Sequence, residues 1–181
     1  MLGKKVMAMN RRTPSTFCIL TAVLASTTLV QANERVPSRF NGAENVRPFV
    51  TGSLASLVAA HANKPFVLAF WSVTCAHCPS ELKVLGELKR QYPKLDVVLI
   101  ATDSPDDAAD SARMAGEYGL GRTEQWVFAD ERPERLRFEI DQRWLGELPR
   151  TYFYDRQHKL ESVSGVVPRQ ILAAWIKKNL P

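Results

Sequence analysis

The feature that most restricts the fold of this chain is a continuous apolar run from Phe66 to Trp71, directly after Pro65. The run has the length of a strand, and a strand without polar alternation is buried on both faces. Such strands lie in the middle of sheets that carry helices on both sides. Residues 95–101 (LDVVLIA) form a second run of the same kind. The sequence therefore predicts an α/β domain with a central sheet.

The remaining pattern alternates between helices and strands. Ser104-Pro105 followed by two aspartates is a helix start, because serine caps well, proline suits the first position and acids favour the positive end of the dipole. Parallel strands are expected where helices connect them, and the last two strands form an antiparallel hairpin. The predicted helices are 53–62, 78–91, 105–118, 133–140 and one that starts at Pro168; the predicted strands are 66–71, 95–101, 126–129, 151–155 and 159–163.

The first 32 residues have the pattern of a secretory signal peptide. They contain four basic residues and no acid, then an apolar stretch from Phe17 to Val30, then Val30-Gln31-Ala32 with small residues at the cleavage positions. We expect cleavage after Ala32 and a periplasmic or otherwise exported protein; an uncleaved N-terminal membrane anchor is the alternative. Residues 33–50 are interpreted as a linker, and 51–181 as the folded domain.

Charge and cysteine counts change when this segment is removed. The full chain has 24 basic and 19 acidic residues, a net charge of +5, and residues 33–181 keep 20 basic residues and all the acids, a net charge of +1. The basic excess therefore lies outside the domain, and no nucleic-acid partner is expected. Of three cysteines, Cys75 and Cys78 remain.

Cys75-Ala76-His77-Cys78 lies between a buried strand and a helix. A cysteine at a helix N-terminus has its thiolate stabilised by the dipole and by free backbone N–H groups, and the thiolate attacks disulfides. Cys78, three residues later, can resolve a mixed disulfide. A structural zinc site would need four ligands, and a disulfide closing so short a loop would stabilise little. Redox chemistry is therefore the favoured interpretation, without a cofactor or bound metal.

Three further residues are candidates around this pair. A protonated His77 would favour the Cys75 thiolate, although it also fits an exposed residue without effect. Glu81 lies on the same helical side as Cys78 and fits either a proton shuttle or a solvated acid in the first turn. Pro149 precedes a strand. Few peptide bonds before proline are cis in folded proteins, so the residues alone do not predict a cis bond at this position. Trp71 is interpreted as a core aromatic.

Two motifs resemble the thioredoxin superfamily, and most closely its exported TlpA/ResA-like thiol-disulfide oxidoreductases. They are F-W-x-x-x-C-x-x-C-x-x-E at 70–81 and G-x-x-P-x-T-x-x-x-D at 146–155. The resemblance spans residues 50–180. It implies a thioredoxin-like fold with a central mixed sheet flanked by helices, and an extra strand-helix insertion before the cis-proline. It also implies that Pro149 is cis beside the disulfide and that Glu81 is functional.

The resemblance also implies a role and partners. A member of this family would reduce exported client proteins with disulfides or thiols, such as apocytochromes in cytochrome c maturation or the thiols of copper sites. A membrane electron donor of the DsbD or CcdA kind would recharge it, and we expect a monomer.

Several departures from the family pattern leave the direction of electron flow open. Ala76-His77 replaces the usual dipeptide between the cysteines and resembles that of DsbA-like oxidants, while Thr74, Pro79 and Arg150 also differ from the usual residues.

A copper chaperone of the same fold, binding Cu(I) through Cys75 and Cys78, is the alternative function.

Overall fold

Six strands form one mixed sheet in the computed structural model, which describes residues 45–180. The strands are β1 (Val46–Phe49), β2 (Phe66–Trp71), β3 (Val97–Ala101), β4 (Glu124–Phe128), β5 (Arg150–Tyr154) and β6 (Leu160–Ser164). Their order across the sheet is β1-β4-β3-β2-β5-β6; the first four are parallel, and β5 and β6 run antiparallel to their neighbours. This confirms the α/β class and the antiparallel hairpin.

Helices connect the strands close to the predicted positions. Before the helix at Ala108–Glu117, a 3-10 turn at Pro105–Asp107 follows Ser104, whose N–H donates to the Asp107 carboxylate at 3.1 Å, as expected of a helix start. Strand β4 and the helix Pro133–Ile140 come next along the chain, where the resemblance implied an extra strand-helix unit before Pro149. The helices are α1 (Ser53–Ala60), α2 (Cys78–Gln91), α3 (Ala108–Glu117), α4 (Pro133–Ile140) and α5 (Arg169–Asn179).

Strand β2 supplies side chains to two hydrophobic cores, one on each face of the sheet. Val67, Ala69 and Trp71 pack with α2, α3 and α5, whereas the aromatic rings and Leu68 on the other face pack with α1 and α4. Every residue of β2 is buried. Burial of all six residues explains why the run has no polar alternation, and it places the end of β2 firmly in the centre of the sheet.

The N-terminal edge of the sheet differs from the sequence prediction. Residues 46–49 form β1 and pair with β4, so this part of the predicted 33–50 linker belongs to the domain. The strand was missed because it is short and contains Arg47 and Pro48. Proline is tolerated there because an edge strand leaves one side of its backbone unpaired. The predicted signal peptide, its cleavage site and residues 33–44 of the predicted linker lie outside the described residues.

Candidate active site

The two cysteines lie where the central strand gives way to a helix. Strand β2 ends at Trp71, a loop carries Cys75, and α2 begins at Cys78. A disulfide joins Cys75 to Cys78, with the two Cα atoms 5.4 Å apart. Cys75 is half-buried, whereas Cys78 has no exposed surface. Only Cys75 is therefore accessible to another protein.

The helix start supplies the electrostatics that the sequence predicted. The N–H of Cys78, the first residue of α2, donates to the Cys75 sulfur at 3.2 Å. A thiolate on Cys75 would be stabilised by this N–H and by the positive end of the helix dipole. His77 is the N-cap residue of α2, and its side chain is exposed. Its influence on Cys75 remains a prediction.

Glu81 is a buried carboxyl one turn into α2. It has no exposed surface; its Oε2 accepts the N–H of Val167 at 2.7 Å, and its Oε1 contacts the Thr151 hydroxyl at 2.9 Å. Burial raises the pKa of Glu81, and these two hydrogen bonds partly oppose the rise. A hydroxyl can donate to a carboxylate or accept from a carboxylic acid. Both protonation states of Glu81 therefore have a hydrogen-bond partner, which suits proton transfer. Because the carboxyl is buried, it is not the solvated acid that was the alternative interpretation.

The raised pKa of Glu81 predicts a stability that depends on pH. The Glu81 carboxyl has a higher pKa in the folded state than its ordinary pKa of 4.5. The free energy of unfolding therefore falls as the pH rises from 4.5 through the pKa of the folded state. Each tenfold difference in proton affinity is worth about 1.4 kcal/mol. Glu81→Gln keeps an acceptor for Val167 and a donor for Thr151 but does not titrate. We therefore expect this variant to lack the fall in the free energy of unfolding as the pH rises. Urea unfolding of the oxidised protein across this pH range measures the effect.

The control for this experiment is the same substitution at Glu131, which is exposed. Glu131→Gln should follow the wild-type pH dependence. If Glu81→Gln also follows the wild type, the Glu81 carboxyl has the same proton affinity in the folded and unfolded states, and the burial argument fails.

Pro149 lies immediately before β5, and the Leu148–Pro149 peptide bond is cis, as the resemblance implied. The carbonyl of Pro149 accepts the N–H of Gly165 at 2.8 Å, and Thr151, two residues later, contacts Glu81. The segment around Pro149 is thus tied to the helix that carries Cys78. Its proposed contact with the disulfide remains a prediction.

The large side chain after Pro149 is accommodated away from solvent. Arg150 donates to the Asp141 carboxylate at 3.0 Å and to the Ser162 hydroxyl at 3.0 Å, and 13% of its side chain is exposed. This unusual residue therefore links the segment before Pro149 to strand β6.

Sequence analysis missed the polar contacts beneath the active-site loop. Ser72 and Asp103 share a 2.7 Å hydrogen bond although they are 31 positions apart. A signal for this pair was present, because Ser72 follows β2 and Asp103 comes two residues after β3. Neighbouring parallel strands end at the same edge of a sheet, so polar residues beyond those ends meet there.

Neither a metal site nor a membrane span is found in the described part of the chain. Within residues 45–180, no three His, Cys, Asp or Glu side chains are grouped so as to hold a metal ion. No helix in the same range combines the length and apolarity needed to cross a bilayer.

Comparison with solved structures identifies the fold. A secreted disulfide oxidoreductase of Mycobacterium tuberculosis, described as homologous to E. coli DsbE, superposes on 66% of this chain and 85% of its own, with a TM-score of 0.55 and 22% identity. The chain has a thioredoxin-like fold. A DsbF homologue from Corynebacterium diphtheriae superposes on 67% of this chain and 75% of its own, with a TM-score of 0.53 and 26% identity. No protein-family model and no curated protein matches the sequence.

Proposed function

We propose that this protein is an exported thiol-disulfide oxidoreductase that acts on client proteins through Cys75 and Cys78. The observation that carries the proposal is the pairing of an accessible cysteine with a fully buried one at the start of α2. The similar solved structures, which include a secreted disulfide oxidoreductase and a DsbF homologue, support the same chemistry.

In the reducing direction, both cysteines begin as thiols. The Cys75 thiolate attacks one sulfur of a client disulfide; a new bond forms between Cys75 and that sulfur, and the other client sulfur leaves as a thiolate and takes up a proton. Cys78 then attacks the Cys75 sulfur, which releases the first client sulfur and forms the Cys75–Cys78 disulfide. The client gains two electrons and the protein loses two.

Glu81 is proposed to accept the proton that Cys78 must lose before it attacks. The two residues lie three positions apart on α2, hence on one side of the helix, and both are fully buried. Burial raises the pKa of the Glu81 carboxyl toward the pKa of a thiol, which makes the proton transfer easier. Pro149 and Thr151 would complete this side of the site.

For the cellular role, we propose reduction of exported clients, such as apocytochromes or the thiols of copper sites, with recharging by a membrane donor of the DsbD or CcdA kind. The support is the family resemblance of the two motifs together with the signal-peptide pattern. The Ala76-His77 dipeptide favours the opposite, oxidising direction, because a stabilised thiolate favours the reduced form of the protein. The alternative, Cu(I) binding through Cys75 and Cys78, would need both cysteines as thiolates, whereas the structure joins them in a disulfide.

A redox titration against glutathione tests this function. We expect reversible exchange between the dithiol and the Cys75–Cys78 disulfide, and catalysis of thiol-disulfide exchange on a model client such as insulin. The potential decides the direction, since about 30 mV corresponds to ~1.4 kcal/mol for a two-electron couple. Failure of the reduced wild-type protein to accelerate exchange above the glutathione background would overturn the proposal.

A further inference from the structure

The carboxylate of Asp103 holds the loop that carries Cys75. Its Oδ1 accepts the hydroxyl of Ser72 at 2.7 Å, and its Oδ2 accepts the backbone N–H of Val73 at 3.0 Å. Both donors lie in the turn between the end of β2 and Cys75. A single carboxylate thus accepts hydrogen bonds from two consecutive residues of a loop that belongs to neither a helix nor a strand.

Ser72 connects the Asp103 carboxylate to the backbone of Cys75 through hydrogen bonds. Its hydroxyl oxygen accepts the N–H of Thr74 at 3.1 Å, and its carbonyl accepts the N–H of Cys75 at 3.2 Å. Ser72 itself is buried, with 7% of its surface exposed. A continuous hydrogen-bonded path therefore runs from Asp103 through Ser72 to the backbone of Cys75.

Strand β3 places Asp103 independently of the loop. Ala101, the last residue of β3, is paired with Trp71, and the N–H of Thr102 donates to the Trp71 carbonyl at 2.8 Å. Asp103 follows directly and is only half-buried. The carboxylate is thus fixed by the sheet, and the loop is fixed by the carboxylate.

We propose that Asp103 is a positioning residue for Cys75, acting through Ser72 and Val73 to keep the Cys75 sulfur at the Cys78 N–H, where α2 begins. This inference rests on the proposed function and deepens it. The stabilisation of a thiolate by helix N–H groups depends on geometry, since the 3.2 Å contact from the Cys78 N–H requires the loop to hold its path. Loss of the restraint should therefore weaken thiolate formation at Cys75.

The direction of the effect separates positioning from simple charge. If Asp103 acted only as a nearby anion, its removal would favour a thiolate, and Cys75 would become reactive at lower pH. If it acts by positioning, its removal disfavours the thiolate, and reactivity moves to higher pH. The two explanations thus predict opposite shifts for Asp103→Ala.

The experiment follows alkylation of Cys75 by iodoacetamide across pH in the reduced protein, with the modified cysteine identified by peptide mass spectrometry. We expect the midpoint of the profile for Asp103→Ala to move up by about one pH unit, which leaves roughly tenfold less thiolate at pH values below the midpoint. Ser72→Ala removes the central hydroxyl without altering charge and should move the midpoint in the same direction. The double variant should move it by less than the sum of the two, because both substitutions break one path.

Asp106→Ala is the matched control, since Asp106 is an exposed acid three residues further along. It removes the same charge and should leave the profile at its wild-type position. A shift to lower pH in Asp103→Ala, or no shift in Ser72→Ala, would overturn the positioning role. Glutathione exchange by the wild type is measured alongside, so a failure of the proposed function is seen separately from a failure of this inference.

Discussion

Cys75→Ser is expected to reduce thiol-disulfide exchange to the uncatalysed background, whereas Cys78→Ser is expected to accumulate stable mixed disulfides with clients. The reason is their unequal exposure: Cys75 is half-buried and reachable, while Cys78 has no exposed surface. An attacking sulfur must be accessible and ionised, and only Cys75 lies where the Cys78 N–H contacts it. Without Cys78, no second cysteine among residues 45–180 can displace the bound client.

The measurement is non-reducing electrophoresis with mass spectrometry after the reduced variants are mixed with a disulfide-bonded client. Cys78→Ser should give an adduct at Cys75 that dithiothreitol releases, and Cys75→Ser should give none. The double variant Cys75→Ser/Cys78→Ser sets the background. An adduct formed by Cys75→Ser alone would reverse the assignment of nucleophile and resolving cysteine.

Gly86→Ala is expected to destabilise the protein strongly, by about 3 kcal/mol, which is the upper part of the usual range for overpacking. Gly86 is buried in the middle of α2, and a Cβ added there would overlap the backbone carbonyl oxygen of Tyr118. A backbone atom just beyond α3 cannot move aside as a flexible side chain would. Either α2 or the end of α3 must shift, and α2 also carries Cys78 and Glu81.

Gly116→Ala is the matched control, because Gly116 lies in α3 and an added Cβ there meets nothing within 4 Å. We expect it to stabilise the protein by about 0.5–1 kcal/mol, the usual gain of alanine over glycine in a helix. Denaturant unfolding of both variants measures the difference. Equal stability of Gly86→Ala and the wild type would mean that α2 and α3 separate easily.

Most of the fold was predictable because its signals are local. The apolar run of β2 and the serine-proline start at Ser104 depend on a few neighbouring residues, and both predictions are confirmed. Strand β1 was missed because four residues containing Arg47 and Pro48 have no strand signal of their own. That segment becomes a strand only because β4 offers it a partner.

The site divides in the same way. Sequence alone determined the cysteine pair, its place at a helix start and the chemistry such a place favours, since spacing and helix electrostatics act within one turn of chain. Tertiary structure alone decided that Glu81 is buried between Thr151 and Val167 and that Asp103 holds Ser72. It also decided that an alanine at Gly86 would meet Tyr118. These contacts join residues between 31 and 86 positions apart, and only the packing of the sheet and helices brings such residues together.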